Sequence, residues 1–258
     1  KKEDRWHHYH AEIAAWLDAH PVHKTIKERL ARHLMMANQW HEALTPLSSI
    51  MEKKLLVQDL ATCQIVLDAY KHCVEELQLP VSHSLYIQGL AYEAYLARNL
   101  GERATAQQLI ERAYQLVRQH PSKSVEAFIL KTLSRLQDDR GDQVRAAQFA
   151  GEAAEIQRKL GNQYEYAMAL IGQAQAMAFM GKRSEAYTIA QQAIRTLRTL
   201  NEPTGLTIAY YVISLIVLLD GAREEAEGHL EKVLHMARQQ GNRMQEAGAE
   251  NLLGNIDM

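Results

Sequence analysis

The sequence predicts an all-α fold, a solenoid of antiparallel helix hairpins with a period of about 40 residues. Three observations predict it. Gly101, Gly141, Gly181 and Gly221 stand 40 residues apart, and Ala106, Ala146, Ala186 and Ala226 each follow five residues later. A small residue (Ala94, Ser134, Ala174 or Ser214) precedes each glycine by seven, and Ala113, Ala153, Ala193 and Val233 follow by twelve. The 258 residues hold only 13 Gly and 5 Pro, where average usage gives roughly 18 and 13, so breaks and tight hairpins are few.

A second breaker recurs twenty residues after each glycine, as Pro121, Gly161, Asn201 and Gly241. Glycine, and less often asparagine, accepts the left-handed conformation that closes a helix, so these positions read as C-caps. They divide the chain into helices near 82–100, 102–119, 123–140, 142–160, 162–180, 182–200, 204–220, 222–240 and 243–256. The small residues fall where antiparallel helices cross and only a methyl or hydroxymethyl group fits between backbones. Larger apolar residues follow the helical period: Phe149, Ile156 and Leu160 in one repeat, Leu230, Val233, Leu234 and Met236 in another.

Residues 1–80 are less regular. Trp6 to Leu17 reads as an amphipathic helix with Trp6, Ile13, Trp16 and Leu17 on its apolar face, ended by His20-Pro21. Leu30-Ala31-Arg32-His33-Leu34, followed by Asn38-Gln39-Trp40-His41-Glu42-Ala43-Leu44, looks like a degenerate repeat with Asn38 in the glycine position.

The order of small residue, glycine, alanine, large apolar residue (Ile110, Leu230) and second alanine resembles the tetratricopeptide repeat over roughly 82–258. Two departures stand out. The period is 40 instead of 34, and the aromatic usual four residues before the glycine is replaced by Ala97, Gln137, Met177 and Val217. The joints Leu160-Gly161-Asn162 and Gln240-Gly241-Asn242 look like those of the maltose-regulon activator's sensor region and of related STAND-type signalling ATPases. The resemblance implies a right-handed superhelix with hairpins near 82–120, 123–160, 162–200 and 204–241 and a final helix over 243–257. It also implies that 1–80 joins the repeats of 81–258 to an upstream winged-helix or ATPase part. The start at Lys1-Lys2 instead of Met fits a piece of a longer polypeptide.

Composition narrows the chemistry. With 29 Lys+Arg against 31 Asp+Glu, the net charge of −2 gives no electrostatic reason to expect nucleic-acid binding. Residues 1–20 hold no cationic start followed by an apolar run, and the uncharged stretches Tyr166–Gly181 and Pro203–Leu219 fall short of a membrane span. Cys63 and Cys73, ten apart on one helix, are separated by about 15 Å and cannot bridge to each other. A reducing compartment, the cytoplasm, fits this better than a secreted one, the other reading being an intermolecular pair. His7, His8 and His10, with His20 and His23 beyond, suggest metal, yet only His7 and His10 share a helix face, so a solvated helix is the expected reading and no metal is assigned. No phosphate loop, HExxH or CxxC occurs. We expect no catalysis by this chain and no cofactor.

The informative feature is missing charge. Between Glu165 and Lys182, and between Glu202 and Asp220, only tyrosines are ionisable. A helix apolar all round must be covered all round. Either tight winding, another copy or another domain covers these helices, or they line a groove that accepts an apolar segment or a small ligand. The tetratricopeptide register places Gln88, Tyr95, Arg98, Lys131, Arg135, Asp138, Met168, Ile171, Gln175, Ile208, Tyr211 and Leu215 on the concave side. The family's carboxylate clamp is not reproduced, because Lys131 is followed by Arg135 and the next helix offers Gly172. Arg98, Lys131 and Arg135 read as a solvated charged face or as a basic end to the groove. The expected function is a protein-interaction or scaffold module, the sensor or partner-binding part of a larger bacterial signalling or transcription-regulating ATPase. Its partner is a protein or peptide, another domain or a second copy, without direct nucleic-acid or membrane binding. The alternative is a small-molecule effector sensor.

Overall fold

A computed structural model describes residues 2–19, 26–56 and 59–256, which form thirteen helices and no strand. His20-Pro21, His23 and residue 257 lie outside the described residues. The chain divides into two compact units, Lys1–Pro121 and Ser122–Met258.

The first unit holds α1 (Lys2–Ala19), α2 (Ile26–Met36), α3 (Trp40–Leu56), α4 (Leu60–Glu76), α5 (Ser84–Asn99) and α6 (Arg103–Gln119). Each packs on the next in sequence. The amphipathic reading of α1 needs correction: Trp6 and Trp16 are 52% and 59% exposed, and the buried face is His10, Ala14 and Leu17. These three recur at spacings of four and three, so the small Ala14, not an indole, sets the approach of α1 to α2. Asn38 is left-handed, with φ 58°, at the junction before α3. Glu52 of α3 accepts a hydrogen bond from the Tyr92 hydroxyl of α5 at 3.1 Å. This sets α3 in the α5 row, so the Asn38 junction is offset by one helix from the one at Gly101. The unit's core centres on Tyr70 and Tyr92, both almost fully buried, with rings edge to face at 5.6 Å.

The second unit holds α7 (Lys123–Asp138), α8 (Gln143–Leu160), α9 (Gln163–Phe179), α10 (Arg183–Thr199), α11 (Pro203–Leu219), α12 (Arg223–Gln240) and α13 (Arg243–Ile256). From α5 onward every helix agrees with its sequence expectation to within two residues. The first helices of successive hairpins, α7, α9, α11 and α13, touch one another in order, and each second helix packs beside its own partner.

The junctions share one hydrogen-bond pattern. Gly141 has φ 78°, and the amide of Asp142 donates to the carbonyl of Gln137, closing α7 with a six-residue ring. The same bond links Glu102 to Ala97, Lys182 to Met177 and Ala222 to Val217. A Cβ added at Gly141 would meet nothing within 4 Å, so backbone conformation, not space, selects glycine there. The crossings are as tight as the register requires. Ala106, Ala146, Ala186 and Ala226 are all 0% exposed. Ala94, Ala113, Ala174, Ala193, Ser214 and Val233 are equally buried. Leu230 is fully buried, whereas Leu160, expected on the apolar face, is 43% exposed in the last turn of α8. The inward residue of that turn is Gln157, whose amide oxygen accepts from Asn162 at 2.9 Å.

Candidate partner-binding surface

In the first unit α5 carries Gln88, Tyr95 and Arg98. Gln88 is part of a closed network: its amide donates to the Tyr92 hydroxyl at 2.7 Å and its oxygen accepts from the Tyr70 hydroxyl at 3.3 Å. Burial raises both phenols. Gln88 therefore serves the core more than an open surface. Tyr95 is buried, its carbonyl accepting from Asn99, and Arg98 is half-buried with partners of its own.

In the second unit two polar links tie α7 to α9. Lys131 meets Glu165 at 2.7 Å, with both side chains about three-quarters buried. Two turns along, Asp138 accepts from Gln175 at 3.0 Å and from Gln143 of α8 at 2.9 Å. The charge of Lys131 is thus neutralised within the row, which corrects its place in a basic end to the groove. Arg135 is half-buried and has partners. The partners Glu165 and Asp138 lie 34 and 37 residues from their counterparts, separations that the 40-residue register does not pair.

The apolar candidates fall into two groups. Met168 and Ile171 on α9 are buried, at 8% and 3% exposure, and work as packing. Among the half-buried residues of α11 are Ile208, Tyr211, Leu215 and Leu218. Their spacing of three, four and three places them on one helix face. Tyr211 leans on α13, where a Cβ at Gly248 would stand 3.4 Å from its ring, and burial raises its phenol. The structure therefore gathers Tyr211 and Leu215 with Ile208 and Leu218 into a partly open apolar stripe on α11. Leu218 was missed in the sequence, although continuing the stripe by three residues from Leu215 finds it.

Two rows of antiparallel helices, alanine crossings and left-handed junctions define a helical-repeat protein of the tetratricopeptide class. More narrowly, the chain belongs to the family described as Anaphase-promoting complex subunit 5, which matches residues 35–140 and 155–221. No curated protein matches the chain in sequence. Among solved structures, the STAND signal-transduction ATPase with a tetratricopeptide repeat sensor from Pyrococcus horikoshii is similar, with TM-score 0.64 and 11% identity. That similarity covers 94% of this chain and 42% of the Pyrococcus protein, so this chain spans less than half of that relative. The APC/C hetero-tetramer Cut9–Hcn1 is similar with TM-score 0.59 and 15% identity, over 98% of this chain and 47% of that one. A Rap protein complexed with Competence and Sporulation Factor follows at 0.58 and 12%, over 96% and 79%. At these identities the likeness is one of fold.

Proposed function

We propose that this chain is a protein-recognition module whose first-helix row takes up an apolar or amphipathic segment of a protein partner. The observation that carries the reading is the stripe of Ile208, Tyr211, Leu215 and Leu218, partly exposed on a helix without a charged residue. A solvated helix face with no role in binding normally carries charge. Support comes from solved structures of the same fold that hold partners, Cut9 with Hcn1 and a Rap protein with Competence and Sporulation Factor. The similarity to a tetratricopeptide sensor within a larger ATPase supports a second layer, in which this chain is the sensor or partner-binding part of a longer signalling protein. We read it as a binding chain in the cytoplasm without catalysis of its own, consistent with two free, buried cysteines. No described helix is long and apolar enough to cross a membrane.

A peptide-library selection against the whole chain tests the stripe. Selected peptides should be rich in apolar residues at helical spacing and should lose at least roughly tenfold in affinity for Leu215→Arg, the loss expected when one central contact is removed. Equal binding to Val144→Arg, a change at an exposed position of α8, is the control. Peptides that bind wild type and Leu215→Arg alike would overturn the assignment.

A further inference from the structure

Tyr210 departs from the repeat in a way that packing does not require. Stepping back by 40 residues gives Leu170, Leu130 and Leu90, all buried. Stepping back from His229 gives Ile189, Phe149 and Leu109. Three copies of the hairpin thus place apolar groups at both positions, and the fourth places a phenol and an imidazole, whose rings stack at 6.2 Å and 21°. The register does not require a cation at Lys232, since only one of its counterparts, Gln192, Glu152 and Arg112, is a cation.

A hydroxyl set into a leucine position must find partners, and Tyr210 is only 6% exposed. Its partners are cations. Arg198, in the last turn of α10, donates through Nη2 to the phenol oxygen. Lys232 of α12 sets its Nζ over the ring face, 3.9 Å from the ring centroid. Burial alone pushes this phenol up, but the neighbouring cations Lys232 and Arg198 outweigh it and bring it below its ordinary range. Arginine occupies the same register position in each repeat, as Arg118, Arg158, Arg198 and Arg238. Arg158 pairs with Glu155, and Arg238 with Glu246 and Glu250. Among the described residues neither Arg198 nor Lys232 has a carboxylate within 4.0 Å, and His229 has Glu225 at 3.8 Å. Two exposed cations therefore converge on one buried tyrosine, Arg198 at its hydroxyl and Lys232 over its ring, without an ion-pair partner among the described residues.

We infer that Arg198, Lys232, His229 and Tyr210 form an oxyanion site between α10 and α12, for a group of the phosphate class. The guanidinium fork and the ammonium supply charge, the imidazole stands beside them, and the phenol supplies a hydroxyl. Donors from three helices suit the several oxygens of a tetrahedral anion better than the two of a carboxylate. The Tyr210 oxygen accepts from Arg198 in the free protein, and it turns donor once an anion takes that hydrogen bond. Anion binding and phenol ionisation therefore oppose each other, and each reports on the other.

The test is calorimetric titration of the whole chain with sodium phosphate at constant ionic strength, alongside the phenolate absorbance of wild type and Tyr210→Phe. Saturable one-site binding is expected. Arg198→Gln and Lys232→Gln should each weaken it by roughly tenfold or more, the effect of removing a charged hydrogen bond. Arg118→Gln, at the same register position in another repeat, should leave it unchanged. Tyr210→Phe should remove the phenol that ionises first, and phosphate should move that ionisation to higher pH. O-phosphoserine binding more tightly than inorganic phosphate would assign the site to phosphorylated side chains, and equal binding to the free ion; either supports the phosphate class. Absence of saturable binding, binding indifferent to both cation variants that retain their helical circular dichroism, or acetate binding as well as phosphate would overturn the inference.

Discussion

The Ser134 hydroxyl donates to the backbone carbonyl of Ala146 across 2.8 Å, tying α7 to α8 where the two helices cross. Both residues are buried, and they stand seven before and five after Gly141. A hydroxyl that reaches a neighbouring helix's backbone leaves no room there for a larger side chain. Ala146→Leu is expected to overpack the crossing and cost about 1–3 kcal/mol. Ser134→Ala should cost about 1 kcal/mol, since it removes one buried hydrogen bond. Urea midpoints for both variants decide the point, and an unchanged midpoint for Ala146→Leu contradicts the crossing.

Inside and crossing should respond differently to charge. Ala226 is 0% exposed at the α11–α12 crossing, whereas Leu215 is half-open on the stripe. Ala226→Arg buries a charge and should cost about 4 kcal/mol or more, unfolding the repeats around it. Leu215→Arg should keep helical content and lose about 1 kcal/mol or less, because its head can reach water. Circular dichroism and sedimentation on the two variants compare them directly.

The junctions separate backbone preference from packing. Gly141 has open space around it and φ 78°, so Gly141→Ala should cost about 1–2 kcal/mol through conformation alone. Asn201 occupies the same region with φ 54°, and Asn201→Gly should hold or slightly raise the melting temperature. Thermal denaturation of both variants checks the sign.

Acid should loosen α1 from α2. The buried His10 places its Nδ1 2.7 Å from Nδ1 of His33, so a single proton occupies the space between them. Burial first, then the charges of His10, Arg32 and Arg29, lower His33 from its ordinary 6.5. A histidine lowered by folding binds fewer protons folded than unfolded. Its contribution is therefore present above 6.5 and is lost as pH falls through the folded value. Hydrogen exchange of α1 amides should speed up in that direction, and His33→Leu should flatten the dependence.

The two thiols should be inert. Burial raises Cys63 and Cys73 to about 11 each, and both side chains are fully covered. A colourimetric thiol reagent should find neither in the native chain and both after denaturation, without any change on prior reduction.

Periodicity alone determined the repeat architecture. Glycine at left-handed junctions and alanine at crossings are local demands of backbone conformation and volume, so they are written at fixed intervals and can be read without knowing the neighbours. Only the tertiary structure decided which apolar residues are open. Met168 and Tyr211 looked alike as inward positions, but Met168 is closed in while Tyr211 stands at the edge of a half-open stripe. The same holds for charge: Lys131 meets Glu165 and Gln175 meets Asp138 across separations that differ from the period. In α1, Trp16 is placed on the apolar face by its spacing, yet Ala14 is buried and Trp16 is 59% exposed. Exposure and pairing depend on how far each neighbouring helix is shifted and rotated, and that sum of many small contacts is carried by no single residue or interval in the chain.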